Sequence, residues 1–209
     1  MVQKLFGGVL LATVLAVGIA NADALPDPWK FQDIGGPGVA GSATYDNGVF
    51  TIKASGADVW DTADKFGLVS QPLSGDGYIV AQVQSLENTN DWAKAGVMIR
   101  ESNDPGSVHA FMCITPGNGA SFQRRPTAAD QSKNDDTGGI SAPYWVKLTR
   151  VGTDFTGYIS KDGKDWQKAT DETITMKNDV LIGLAVTSHD DGTLTTAKFS
   201  DVKITKGKE

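Results

Sequence analysis

Between Gly75 and Arg125 the sequence GDGYIVAQVQSLENTNDWAKAGVMIRESNDPGSVHAFMCITPGNGASFQRR alternates apolar runs of strand length with turn-rich breaks. This pattern constrains the fold most, because side chains that face a core at every second residue belong to half-buried strands. After the first 22 residues no long run keeps a 3.6 period, whereas short runs rich in Val, Ile, Thr, Phe and Tyr recur throughout. Strands are predicted at Gly48–Ala54, Leu68–Pro72, Tyr78–Leu86, Ala93–Arg100, His109–Thr115, Ala120–Arg124, Tyr144–Val151, Asp154–Ser160, Leu181–Ser188 and Thr195–Ile204. About ten to thirteen strands in one domain predict an all-β jelly-roll sandwich of two antiparallel sheets. Asp46-Asn47-Gly48, Ser74-Gly75-Asp76-Gly77, Pro116-Gly117-Asn118-Gly119 and Asp162-Gly163 supply the positive φ angles of tight connections. Pro126 to Ser141 reads as a long loop beside a binding face, and Asp61 to Phe66 as a single helical turn.

The N-terminus carries one early cation, Lys4, then the apolar run LFGGVLLATVLAVGIA, then the small residues Ala20-Asn21-Ala22. That is the pattern of a secretory signal cleaved after Ala22, which leaves residues 23–209 as one sandwich domain, secreted or periplasmic. The competing reading, a membrane anchor, needs ~20 apolar residues to cross a bilayer, more than this run offers. No later segment is apolar enough to span a membrane. The formal charge of −6 provides no basic footprint for nucleic acid. With Cys113 as the single cysteine no internal disulfide forms, and its place in HAFMCIT reads as a buried, inert thiol. A monomer is expected, and with only His109 and His189 a zinc site of the usual His and Cys type is not.

All four arginines, Arg100, Arg124, Arg125 and Arg150, fall within one quarter of the chain, and a planar guanidinium suits paired hydroxyls or carboxylates. Period two sets Met98 and Arg100 on one strand face and Val97 and Ile99 on the other, and it separates Gln123 and Arg125 from Phe122 and Arg124. Two accounts stand: arginines paired with surface acids such as Glu101 or Asp130, or a concave ligand surface of Arg100, His109, Gln123 and Arg125. Among five tryptophans, Trp60 and Trp92 follow turn residues and are candidates to stack on a sugar, whereas Trp145 reads as core. Calcium is the metal that oxygen-rich loops of such a sandwich hold. Asp33 and Asp201 would ligate it if the terminal strands pair, Asp190 and Asp191 offer a second option, and plain surface aspartates are the third account.

The segments FTIKASGADVWDTADKF, VSQPLSGDGYIVAQV, WAKAGVMIRES, HAFMCITPGNGASFQRR, APYWVKLTR, FTGYISKDGKDW and LAVTSHDDGTLTTAKFSDVKI together resemble a secreted bacterial domain of the concanavalin A-like lectin/glucanase fold. That group is similar to the C-terminal sandwich of family 43 β-xylosidases and to regulation-of-enolase-like proteins. The resemblance spans roughly Trp29 to Ile204. It implies a non-catalytic, lectin-like accessory module and a structural calcium at Asp33 and Asp201. The glucanases of this architecture carry Glu-x-Asp-x-Glu on one strand, and none of the four glutamates here has a carboxylate two residues away within a strand. The function expected is therefore binding of a carbohydrate or similar polar ligand on a concave sheet by Arg100, His109, Gln123, Arg125, Trp92 and Trp60. The alternatives are a glycoside hydrolase or lyase using acids such as Glu87 and Glu101, and a structural or protein-interaction sandwich.

Overall fold

The computed structural model describes residues 24–208, and the signal assigned to residues 1–22 lies outside them. Among the described residues fourteen strands follow one another: β1 (Lys30–Ile34), β2 (Ser42–Asp46), β3 (Val49–Gly56), β4 (Phe66–Ser74), β5 (Gly77–Leu86), β6 (Lys94–Arg100), β7 (His109–Ile114), β8 (Ala120–Arg125), β9 (Lys133–Thr137), β10 (Tyr144–Val151), β11 (Asp154–Ser160), β12 (Gln167–Thr173), β13 (Asp179–Thr187) and β14 (Asp190–Lys206). They form two seven-stranded sheets, β1-β4-β13-β6-β7-β8-β9 and β12-β11-β10-β5-β14-β3-β2. Among the described residues no helix is long and apolar enough to cross a membrane.

The two-residue period decides what each sheet buries. On β5, Ile79, Ala81 and Val83 are buried while Tyr78, Val80 and Gln82 are half-exposed. Matching inward rows from both sheets, including Ile52, Val97, Met112, Phe122, Leu148, Phe155, Leu184 and Phe199, interdigitate as the main core. Strands β6, β7 and β8 are buried on both faces. Their outer face supports a second apolar cluster, in which Met98, Phe111 and Cys113 meet Phe66, Leu68 and Val59.

What covers that second cluster is the β3–β4 connection, residues 57–65. It starts at Gly56, where φ is 145° and a Cβ would stand 1.9 Å from the Lys65 carbonyl oxygen, so only glycine lets the chain turn back this closely. Asp58 and Lys65 pair as an isolated bridge, and Val59 between them is fully buried, a contribution of about 1.5–3 kcal/mol. The helical turn expected over residues 61–66 does not form. Asp61 takes φ 47° and Phe66 already belongs to β4.

Four strands escape the sequence pattern: β1, β2, β9 and β12. Strand β9 lies inside the stretch expected to be a long loop. It is the polar edge of the first sheet, KNDDT, and charges are what an unpaired edge carries to resist further pairing.

Candidate ligand-binding site

Strand register sets the outer-face side chains of the first sheet in rows. Arg100 lies directly opposite His109, and His109 opposite Arg125, while Met98, Phe111 and Gln123 form the next row. The two rows differ in what they present to solvent.

The first row is sealed. Arg100, His109, Arg125 and the carboxylate that meets them, Asp64, are each 0% exposed. Arg125 grips Asp64 with both fork nitrogens, Nη2 to Oδ1 at 2.6 Å and Nη1 to Oδ2 at 2.9 Å. It also donates to the carbonyls of Trp60 at 3.0 Å, Asp61 at 3.0 Å, Asp130 at 3.1 Å and Pro105 at 3.2 Å. Arg100 donates to Asp64 at 3.3 Å and to the carbonyls of Ser102 and Asp104 at 2.6 and 2.5 Å. The guanidinium groups thus tie three loops, 57–65, 101–108 and 126–132, to one buried carboxylate.

The expectation that Arg100, His109 and Arg125 offer donors to a ligand is corrected by this burial, since their protons already face a carboxylate and carbonyls. Burial, followed by the two neighbouring arginines and against the pull of Asp64, drops the His109 imidazole to about 4, so it is neutral at ordinary pH. Its Nδ1 lies 3.4 Å from the Ser107 carbonyl, and its Nε2 is buried without a partner. Burial also lowers Arg100 to about 10, still charged at neutral pH, and raises the Cys113 thiol to about 12. Arg124 takes the opposite face of β8, as the alternation requires, and pairs with Asp135 and with Glu172 of the second sheet.

Around Gln123 the same face opens. A cavity of about 320 Å³ is lined by Asp58, Trp60, Trp92, Lys94, Gln123, Asn134 and His189. Trp60 comes from the β3–β4 connection, Trp92 from the β5–β6 turn, and both are half-buried. Three of the six predicted binding residues, Trp60, Trp92 and Gln123, therefore meet in one pocket, and Arg100, His109 and Arg125 do not line it.

The polar groups of the pocket are unequal. Lys94, 1% exposed, gives Nζ protons to Asp58 Oδ1 at 2.5 Å and to the Trp92 carbonyl at 3.0 Å, with its ammonium 5.5 Å from the Trp92 ring centre. His189 holds φ 54°, a conformation that costs energy for a non-glycine residue, and its Nδ1 is 3.1 Å from the other Asp58 oxygen. That approach is off the line of a hydrogen bond, so the buried Nδ1 has no partner. Gln123 is 2% exposed, and its Oε1 is buried with nothing donating to it. The opposing residue on β9, Asn134, instead donates to Asp136 at 2.7 Å.

Sequence reasoning missed Asp58, Lys94, Asn134 and His189. Lys94 had a signal, the same parity as Met98 and Arg100, and Asp58 stands two residues before Trp60. His189 sits in a turn whose conformation no local pattern announces.

The proposed calcium ligands do not meet. Asp33 lies on β1, which pairs only with β4 at the edge of the first sheet, while Asp201 lies on β14 between β5 and β3 of the second. Asp33 accepts from the Gly41 amide at 3.0 Å, and Asp201, φ 53°, sits where the β14–β5 register shifts and accepts from Ser200 Oγ at 2.8 Å. These carboxylates do not fit one cation. Asp191, from the second option, pairs with Lys65 at 2.8 Å. Glu87 follows β5 and Glu101 follows β6, so β6 separates them by about 20 Å at ~3.3 Å per residue. The two acids therefore do not face one cleft.

No protein-family model matches the chain, and no curated protein sequence matches it. Solved structures match its shape. A Saccharomyces cerevisiae protein of unknown function superposes with a TM-score of 0.67 at 16% identity, covering 87% of this chain and 97% of that one. A GH43 protein of Bacillus licheniformis gives 0.57 at 12% identity over 85% of this chain and 39% of that one. The carbohydrate binding module CBM66 of Bacillus subtilis gives 0.54 at 16% identity over 84% and 94%. The fold is the concanavalin A-like sandwich. At these identities the likeness is one of architecture, and the site must be argued from its own residues.

Proposed function

We propose that this chain is an exported carbohydrate-binding module that holds its ligand between Trp60 and Trp92 on the outer face of the first sheet, without cleaving it. Gln123 carries the reading: a nearly buried amide whose oxygen lacks a donor, set in a pocket walled by two indoles. An orphaned buried acceptor costs about 1–3 kcal/mol, and a sugar hydroxyl removes that cost. The sugar's C–H face, in turn, stacks on an indole. The fold shared with a carbohydrate binding module supports the assignment, and the N-terminal pattern supports export. Glycoside hydrolysis asks for two carboxylates about 5–10 Å apart, and among the pocket's lining residues Asp58 is the single acid, held by Lys94.

The test is a glycan array with the purified protein, followed by calorimetry on the strongest hit. Trp92→Ala is expected to weaken binding roughly tenfold, about 1.4 kcal/mol. Absence of binding across the array, or release of reducing sugar from any member, sinks the proposal.

A further inference from the structure

The charges and donors inside the pocket narrow its ligand class, an inference that rests on the carbohydrate-binding reading. The cation, Lys94, is already paired: one of its three Nζ protons goes to Asp58 and another to the Trp92 carbonyl, with the ammonium 1% exposed. Asp58 balances that charge within the cavity wall. A carboxylate or sulfate entering here therefore meets an ammonium that Asp58 already neutralises, and it lies beside a fixed carboxylate that repels it. Gln123 adds a second filter. Its unpartnered Oε1 needs a donor. A hydroxyl supplies one, whereas a carboxylate or sulfate group set at this position has only acceptors and puts oxygen against oxygen. Were the amide turned to present its NH₂, a hydroxyl would still satisfy it, because it both donates and accepts. The indole walls take the apolar face of a ring, and a cavity of about 320 Å³ is at the small end for ligand pockets.

We propose that the Trp60–Trp92 pocket selects an uncharged sugar unit and rejects uronate and sulfated sugars, with Gln123 as the residue that reads a hydroxyl and the Lys94–Asp58 pair as the charge filter.

The experiment is calorimetry of the intact protein against a panel of methyl glycosides: neutral pentoses and hexoses, the corresponding uronates, and O-sulfated forms. Binding confined to neutral members, at least tenfold tighter than to their uronates and nearly independent of salt, is the expected result. Asp58→Asn leaves Lys94 without its counter-ion, and uronate affinity should then rise at least tenfold and become salt-sensitive, while Gln123→Leu, which removes the acceptor, should lower neutral-sugar affinity at least tenfold. Circular dichroism melts confirm that both variants fold. Uronate or sulfated members binding as well as neutral ones overturn this inference and leave the carbohydrate-binding reading standing. Silence across the whole panel overturns both. Unchanged uronate affinity in a folded Asp58→Asn removes the charge filter, and unchanged neutral binding in Gln123→Leu removes the hydroxyl reader.

Discussion

Gln123 and Arg125 stand two residues apart on the same face of β8, and both are buried, yet they do opposite things. Every side-chain nitrogen of Arg125 is engaged, by Asp64 and by carbonyls from three loops. Gln123 offers an oxygen to which no described residue donates. Between these two residues it is not burial but the completeness of hydrogen bonding that differs. The sealed end builds the open one, because Arg125 holds the Trp60 carbonyl and so fixes the loop from which one wall of the pocket projects. Arg125 is in this sense a positioning residue.

The largest effect that distinguishes the two ends comes from Asp64. Asp64→Ala strands Arg100 and Arg125 in the interior without the carboxylate they share, and removing one partner of a buried ion pair costs about 3–5 kcal/mol. That is a large part of a typical stability of about 5–15 kcal/mol. Chemical denaturation should show it as a midpoint shift, and a loss under about 1 kcal/mol would mean that the loops, not the charges, hold this end together.

The next effect is acid lability from His109. In an unfolded chain imidazole takes up its proton near 6.5, whereas in the native protein it does so only near 4, chiefly because it is buried. Between those values the unfolded state binds more protons, so stability is complete above pH 6.5 and drains away as pH falls toward 4. The full window is worth on the order of 3 kcal/mol at about 1.4 kcal/mol per pH unit. Denaturation midpoints of wild type and His109→Gln, compared from pH 7 to 4.5, isolate this contribution from the carboxylates. Parallel profiles for the two proteins would show that His109 is not the group responsible.

The contrast between β8's two residues also shows what was readable from the chain. Alternation is local, so the sandwich, the opposed faces of Arg124 and Arg125 and the shared face of Gln123 and Arg125 follow from spacing, whereas the row of Arg100, His109 and Arg125 needs the strand register. Asp64 is 36 residues from Arg100 and 61 from Arg125, and in WDTADKF it looks like one more surface acid. Only the loop that Gly56 turns back over the sheet makes it the centre of a knot. Strands β9 and β12 were invisible for a different reason: both end a sheet, carry polar sequence and bury little, so they leave no hydrophobic pattern to read. The tryptophan pair was found because turn residues precede both. Lys94 is one of fifteen lysines scattered along the chain, and beyond its parity with Met98 and Arg100 nothing local sets it apart from those on the surface.

The smallest stability change is the sharpest test of the comparison. Gln123→Leu removes an amide that the protein itself leaves unsatisfied, so no internal partner of its Oε1 is lost, and apolar surface of similar volume replaces it. Stability should shift by less than about 1 kcal/mol, in either direction, because the penalty for the orphan oxygen is relieved as the new side chain adjusts its packing. Ligand binding should fall at least tenfold, since the group that recognises a hydroxyl is gone. At Arg125 a substitution would lower stability and binding together, whereas at Gln123 the two readouts come apart. Thermal melts and calorimetry on the same preparation measure both quantities. If Gln123→Leu costs as much stability as removing Asp64, the two residues belong to one structural knot and the pocket loses its reader.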